Sequence, residues 1–223
     1  MNKDIIFLLR SHNRPEYLKQ TLEYLEYSDI NALCDSKYIY DDASDNQDTL
    51  NILNKYKEKY KILFHTKNYK QKSFVKFIEY IESINTEHIN FICYLDNDAL
   101  VTDNFIKSCV DTFELIKKEQ NKKNTEIILT GFNTQSHKII TSYDKYVLKN
   151  SIGGIHLFFH KSLVSNLKKW WDLDEDWGVT WEFKKQGGEL YATKPSVIEH
   201  IGKIGHNSQL GYFDKSEITV PRK

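Results

Sequence analysis

An α/β fold, with a mostly parallel central sheet and helices on both of its faces, is predicted by three features of the sequence. Through the first half of the chain, short apolar runs alternate with amphipathic ones, the pattern of successive strand–helix–strand units. Each of the first four apolar runs ends in a polar cluster, at residues 11–14, 41–45, 67–71 and 96–98. Ligands of open parallel sheets bind at these carboxyl ends of strands. The 223 residues are 40% hydrophobic and 28% charged, a composition and length that suit one sizeable domain.

Taken in order, residues 4–10 read as a buried strand and 15–27 as a helix with Pro15 in its first turn, where a missing N–H costs nothing. Residues 37–41 form a second strand that ends in the acidic turn Asp41-Asp42-Ala43-Ser44-Asp45. A helix over 48–60 and a third strand over 61–65 follow. Phe74, Phe77, Ile78, Ile81 and Ile84 fall at helical spacing and predict an apolar helix stripe. Residues 89–95 make a fourth strand, with Asp96-Asn97-Asp98 directly after it. Past residue 125 the pattern is less regular. It predicts a strand over 126–130, a hairpin around 138–148, a strand over 155–159, helices over 160–171 and 177–186, and a last strand over 196–201. This second half belongs to the same domain as the first.

Composition excludes several function classes. The 31 basic and 31 acidic residues cancel, so no basic excess points to nucleic acid. No apolar stretch reaches the ~18 residues that span a bilayer, and the start of the chain lacks the layout of a signal peptide. Cys34, Cys93 and Cys109 have neither disulfide-framework nor zinc spacing, which favours a reducing, cytoplasmic location.

The candidate chemistry lies in a few short motifs. Asp96-x-Asp98 at a strand end can hold a hard divalent cation and reach a ribose hydroxyl, while the cation grips a diphosphate; a plain surface turn is the alternative. A carboxylate at Asp41 or Asp42 can accept the imide N–H of a uracil or a ribose hydroxyl, with the cap of the next helix falling within 44–48. The loop of Lys67, Asn68, Lys70, Gln71 and Lys72 is placed to reach a base or diphosphate, or is simply solvated. Gly153-Gly154 lets backbone approach a ligand closely, or serves as a turn before the next strand. All four tryptophans fall at Trp170, Trp171, Trp177 and Trp181. At least two are expected in the core, and Trp181, four residues after Trp177, reads as a stripe packed on the sheet. Sugar C–H faces stack on such rings, which makes Trp177 a candidate acceptor contact.

As an ordered set, Ser11-x-Asn13-Arg14-Pro15-x-Tyr17-Leu18-x-x-Thr21-Leu22, Tyr40-Asp41-Asp42-Ala43-Ser44 and Tyr94-Leu95-Asp96-Asn97-Asp98 resemble the nucleotide-binding half of the GT-A glycosyltransferases. The nearest type is the large inverting family that includes cellulose and chitin synthases. The resemblance runs over about residues 4–105 and resumes at Gly153-Gly154 and from 174 to 208. It implies one GT-A domain over 1–223, with a nucleotide-binding half at 1–105 and an acceptor-binding half with a C-terminal lid at 106–223. Donor contacts are then expected from Ser11, Asn13, Arg14, Asp41, Asp42, Asn68, Gln71, Asp96, Asn97 and Gly154, and acceptor contacts from Gly153 and Trp177. Uridine is the base that the resemblance implies.

Two further segments take their roles from the same resemblance. Asp174-Glu175-Asp176-Trp177 resembles the acidic pair that inverting members carry beneath the acceptor, which makes Asp176 the general base and Glu175 its rival. Displacement at the anomeric carbon needs a base opposite the leaving group, and a helix N-terminus stabilises the carboxylate; helix capping is the alternative role. Residues 195–208 resemble a segment in which a His after a strand completes the metal shell and a Gly-rich loop closes on the donor. That implies His200 as a ligand beside Asp98 and Asp96, His206 as its rival, and Gly202 and Gly205 as lid positions. Imidazole, carboxylate and phosphate oxygens suit Mn2+ better than Ca2+, with Mg2+ as the alternative.

The Arg-rich product motif of processive synthases is absent, and Lys203 is the nearby cation. The expectation is metal-dependent transfer of a sugar from a nucleotide-diphosphate donor to a hydroxyl of a glycan or other acceptor, with inversion. A retaining transferase on the same fold is one alternative, and a non-catalytic nucleotide-sugar-binding module is another. A nucleotidylyltransferase would show a Gly-rich loop after the first strand, where Ser11-His12-Asn13-Arg14-Pro15 has no glycine.

Overall fold

A computed structural model describes residues 4–203 and 214–221. Its first four strands are β1 (Ile5–Ser11), β2 (Cys34–Asp41), β3 (Lys61–Phe64) and β4 (Phe91–Asp96), which lie side by side in parallel as β3-β2-β1-β4. The helices between them are α1 (Pro15–Tyr27), the single turn α2 (Ile30–Leu33), α3 (Gln47–Tyr56) and α4 (Ser73–Ser83). Along β1 the side chains alternate between two cores. Ile5, Phe7 and Leu9 pack with α1 and α3, while Ile6 and Leu8 pack with α4, as the two-residue period of a strand requires.

Beyond β4 the sheet becomes mixed. Strand β9 (His156–His160) runs antiparallel between β4 and β6 (Ile127–Thr130); β10 (Glu189–Thr193) then pairs in parallel with β6. The hairpin β7 (Ile139–Ser142) and β8 (Tyr146–Lys149) completes the far edge on β10. A separate two-stranded ribbon joins β5 (Ala99–Val101) to β11 (Ile198–His200). Two further helices, α5 (Phe105–Gln120) and α6 (Val164–Lys185), cover opposite faces of the sheet.

The sequence reading did not include α5, β5 or β10. For α5 the apolar spacing of Phe105, Ile106, Cys109, Phe113 and Ile116 was present, as was Asn104 at its N-cap position; in the structure the distant Asp29 accepts from the Ile106 and Lys107 N–H groups instead. Strand β10 is five residues long and draws its stability from neighbours on both sides.

The two helices expected over 160–171 and 177–186 are one run, α6, broken at Asp174 (φ −163°, ψ 50°) and Glu175 (φ 48°, ψ −131°). At this break the second half folds back so closely that a Cβ on Gly178 would stand 2.2 Å from the Trp170 carbonyl oxygen. Trp170 and Trp171 are buried, the latter stacked 4.3 Å from Phe74. Trp181 is a correction to the sequence reading: it is 52% exposed, because the break turns its face of the helix away from the sheet.

At the centre of the sheet, His156 is fully buried; its Nδ1 accepts the Gly131 N–H at 2.9 Å and its Nε2 lies 3.4 Å from Cys93 Sγ. Burial holds its pKa down to about 3. The folded protein therefore keeps this imidazole neutral, whereas the unfolded chain takes up a proton near pH 6.5. This contribution is complete above pH 6.5 and is lost as the pH falls from there toward 3, by up to about 1.4 kcal/mol per pH unit. In His156→Asn, whose amide oxygen can still accept from Gly131, urea unfolding between pH 7 and 4 should show a slope smaller by close to one proton. Equal slopes in the two proteins would show that His156 does not carry this dependence.

Candidate functional site

The loops that leave β1 and β2 interlock. Asn13 and Arg14 adopt left-handed backbone (φ 49° and 60°), as does Ala43 (φ 58°). Asn13 ties the first loop to the second: its N–H donates to Ser44 Oγ, its amide nitrogen to Asp45, and its Oδ1 accepts from the N–H groups of Asp45 and Asn46. The cap of α3 is Asn46, which accepts from Thr49. Asp41, fully enclosed, accepts from both the N–H and the hydroxyl of Ser44, while Asp42 accepts the Tyr69 N–H at 2.7 Å. These carboxylates set the shape of the cleft wall.

Ser11 Oγ, His12 Nδ1 and Arg14 Nε are buried without a hydrogen-bond partner. Buried polar atoms are nearly always satisfied, so this loop keeps unused capacity where a ligand of a parallel sheet binds. Asn68 meets His12 Nε2 at 2.9 Å, and Lys72 pairs with Asp172. Gln71 lies in the turn Lys70–Lys72, with its side chain outside the described ones.

The two acids after β4 have separate partners. Asp96 accepts from Tyr94 Oη at 2.5 Å and stands 3.9 Å from Arg10, its register partner on β1. Burial raises its pKa against the charge of Arg10. Asp98 receives Arg14 Nη2 at 2.6 Å and lies 3.4 Å from His200 Nε2. Burial alone would raise the Asp98 carboxyl, but the His200 hydrogen bond and the Arg14 charge outweigh it and hold the pKa at about 2. Asn97 is buried between them and donates to the Asn13 carbonyl.

His200 reaches Asp98 through the ribbon. The antiparallel register sets His200 opposite Ala99, and the Ile201 N–H donates to the Asp98 carbonyl at 2.9 Å. Nδ1 of His200 donates to the Asp214 carbonyl at 3.2 Å, which aims Nε2 at the carboxylate. His137 lies 3.5 Å from the Asp214 carboxylate and 2.8 Å from Ser151 Oγ, and Gly153 sits beside both His137 and Asp214. The next residue, Gly154, donates its N–H to Asp176 Oδ2 at 3.0 Å. One line of contacts thus joins Asp98 to Asp176.

Asp176 opens the second half of α6, where burial pushes its carboxyl above the ordinary range against the Gly154 hydrogen bond. Glu175 is raised as well, by burial first and then by the charge of Asp176; Arg10 and Asp96 also act on it. The acidic turn therefore lies within electrostatic reach of Arg10 and Asp96. Its backbone at Glu175 is in a region that non-glycine residues avoid at a cost on the order of 1–3 kcal/mol, and such strain gathers at functional sites.

Among the described residues, no group of three or more His, Cys, Asp or Glu is arranged to hold a metal ion. The protein's share of a cation site is the pair Asp98 and His200, because Asp96 is directed to Tyr94 and Arg10. The pair fits a borderline divalent ion by donor type, and the Nδ1–H to carbonyl bond is the support that metal-binding imidazoles usually have. Gly205, His206 and the other residues of 204–213 lie outside the described residues. Arg10, Tyr94, His137 and Asp214 are site residues that the sequence reading missed; Arg10, one of three arginines in the chain, was the one with a visible signal.

The family model described as "Glycosyl transferase family 2" matches residues 8–163, through β9. The chain belongs to glycosyl transferase family 2. The chain resembles the structure of GalNAc-T7 with UDP, GalNAc and Mn2+, at 12% identity and a TM-score of 0.68, over 88% of this chain and 42% of that one. It also resembles residues 1–349 of S. aureus TarS in complex with UDP-GlcNAc, at 14% identity and a TM-score of 0.63, over 94% of this chain and 62% of that one. The chain thus spans less than two thirds of either neighbour, and at these identities the likeness shows the GT-A fold. No curated protein matches it in sequence. No described helix is long and apolar enough to cross a membrane.

Gly202 follows the ribbon, and a Cβ there would stand 2.0 Å from Asp98 Oδ2 and 2.7 Å from His200 Nε2. Gly202→Ala must therefore displace the acid, the imidazole or the backbone, at an expected cost of about 1–3 kcal/mol by overpacking. Chemical denaturation should register that loss. Unchanged stability would mean that the loop gives way freely.

Proposed function

We propose that this glycosyltransferase moves a sugar from a UDP-sugar to a hydroxyl of a glycan acceptor, with inversion and with a divalent cation, Mn2+ before Mg2+. The observation that carries the reading is the line of contacts from Asp98 through His200, Asp214, His137 and Gly153 to Gly154 and Asp176. It joins a diphosphate-side acid to a raised carboxylate at the break in α6.

In this reading the unused polar atoms of Ser11, His12 and Arg14 receive the nucleotide, with Asp42 and Asn97 shaping the cradle. Asp98 and His200 hold the cation, which when bound supplies positive charge to the diphosphate oxygens. Asp176, oriented by the Gly154 N–H, takes the acceptor proton as the acceptor oxygen bonds to the anomeric carbon. The bond from that carbon to the phosphate oxygen breaks, and its electron pair leaves with the nucleoside diphosphate. The burial that raises the Asp176 carboxyl makes its carboxylate a stronger base than an exposed one. The likeness to structures that contain UDP, UDP-GlcNAc and Mn2+ supports the choice of donor class and metal.

Asp176→Asn should lower transfer by about 10²–10⁴-fold, the usual weight of a general base, with UDP affinity unchanged. Turnover within threefold of the parent would remove Asp176 from this role, and an NMR measurement showing a product of the donor's anomeric configuration would rule out inversion.

The donor is identified separately, by thermal unfolding with a panel of nucleotide sugars with and without Mn2+. A donor at a hundred times its dissociation constant adds about 2.7 kcal/mol of stability, and the gain should depend on the metal. A panel without any stabilising nucleotide sugar would contradict the proposed reaction.

A further inference from the structure

The outer side of the second half of α6 carries an open hollow of about 640 Å³, lined by Asn150, Trp177, Thr180, Trp181, Lys184 and Lys185. Five of these residues form two adjacent helix stripes at four-residue spacing. One runs Trp177, Trp181, Lys185; the other runs Asp176, Thr180, Lys184 and so begins at the proposed base. The Trp177 and Trp181 rings are 47% and 52% exposed, with centroids 5.9 Å apart and an angle of 35° between their planes. They form an open aromatic wall.

The adjoining side of the hollow is polar and held in place. Lys184 Nζ donates to the carbonyl and the side-chain oxygen of Asn150, at 3.1 and 2.8 Å. The Thr180 hydroxyl lies buried beneath this wall. None of the lining residues is acidic. An aromatic surface beside amide and ammonium groups matches a sugar ring, which has an apolar C–H face and a rim of hydroxyls. A purely apolar partner would desolvate the Lys184 and Lys185 ammonium groups, and a cationic one would meet two lysines.

The hollow is tied to the reaction centre at both ends. Asn150 begins the segment whose Gly154 N–H binds Asp176, and Lys184 clamps that segment from the helix. Trp181 lies five residues past Asp176, about 7.5 Å along the helix axis, the scale of one sugar ring.

We propose that this hollow is a carbohydrate subsite. It holds the ring of a neutral or anionic oligosaccharide acceptor next to the ring whose hydroxyl is glycosylated at Asp176, and in that placement it rests on the reading of Asp176 as the base. The acceptor is then an oligosaccharide, because a single sugar cannot occupy both the centre and the hollow.

The test is a glycan array of neutral, N-acetylamino and uronate oligosaccharides, probed with the full chain and with Trp181→Ala, Trp181→Tyr and Asp176→Asn. Trp181 is half exposed, so its variants should melt within a few degrees of the parent. The expected result is binding of at least one oligosaccharide by the parent, weakened at least tenfold in Trp181→Ala, retained in Trp181→Tyr, and retained in Asp176→Asn, which transfers nothing. Absence of array binding by the parent, or equal binding by Trp181→Ala, overturns the subsite. So does a dimer that Trp181→Ala converts to monomers, since the hollow would then be an interface between copies. A glycan-binding protein in which Asp176→Asn still transfers sugar leaves the subsite intact and overturns the base instead.

Discussion

Two carboxylates one residue apart at a buried strand end repel one another, and the site is organised around separating their charges. Asp96 and Asp98 would both be driven toward the neutral form by burial and by each other. The fold gives them different cations and points them apart: Arg10 and Tyr94 take Asp96, and Arg14 and His200 take Asp98. Each partner comes from a different element. Arg10 is in parallel register with Asp96 on β1, Arg14 needs the left-handed turn before α1, and His200 needs the β5–β11 ribbon.

The ribbon also links the nucleotide half to the end of the chain. Past residue 213, the Thr134–Ser216 bridge, the Glu217 N–H on Asn133, the Val220 N–H on Glu199 and the Tyr24 hydroxyl on Pro221 fasten the terminal segment across the acceptor half. Asp214 lies at the head of that segment, with its carbonyl on His200 and its carboxylate near His137. A displacement of this strap is therefore felt at the imidazole that faces Asp98 and at the turn that carries Gly153.

The break in α6 does comparable work on the acceptor side. A continuous helix would send Asp176 and the two exposed tryptophans along the same axis as Trp170 and Trp171, which are buried against Phe74 and Phe183. Two non-helical residues instead reset the direction, and Gly178 allows the second half to pass close to the Trp170 carbonyl. Strained backbone at Glu175 is the cost of presenting Asp176 to Gly154. The surrounding packing over-determines that turn, which keeps Asp176 in one place.

The repeating part of the fold was legible because its signals are local. Continuous apolar runs, Pro15 at a helix start and the stripe from Phe74 to Ile81 each specify an element through nearest-neighbour physics, and Asp98, Asp176 and His200 stood out by residue type after a strand or before a helix. Other features depend on residues far apart in sequence. The antiparallel insertion of β9, the opposition of His200 and Ala99, the sharing of Arg10 and Arg14 between two acids, and the outward turn of Trp181 are set by pairings across about 60 to 100 residues or by a backbone break. The sequence by itself determined the strand–helix alternation and the supply of acids at strand ends, because both follow from side-chain pattern. Only the tertiary structure decided which acid meets which cation and which tryptophan faces water, because charge pairing and exposure depend on where distant segments are brought together.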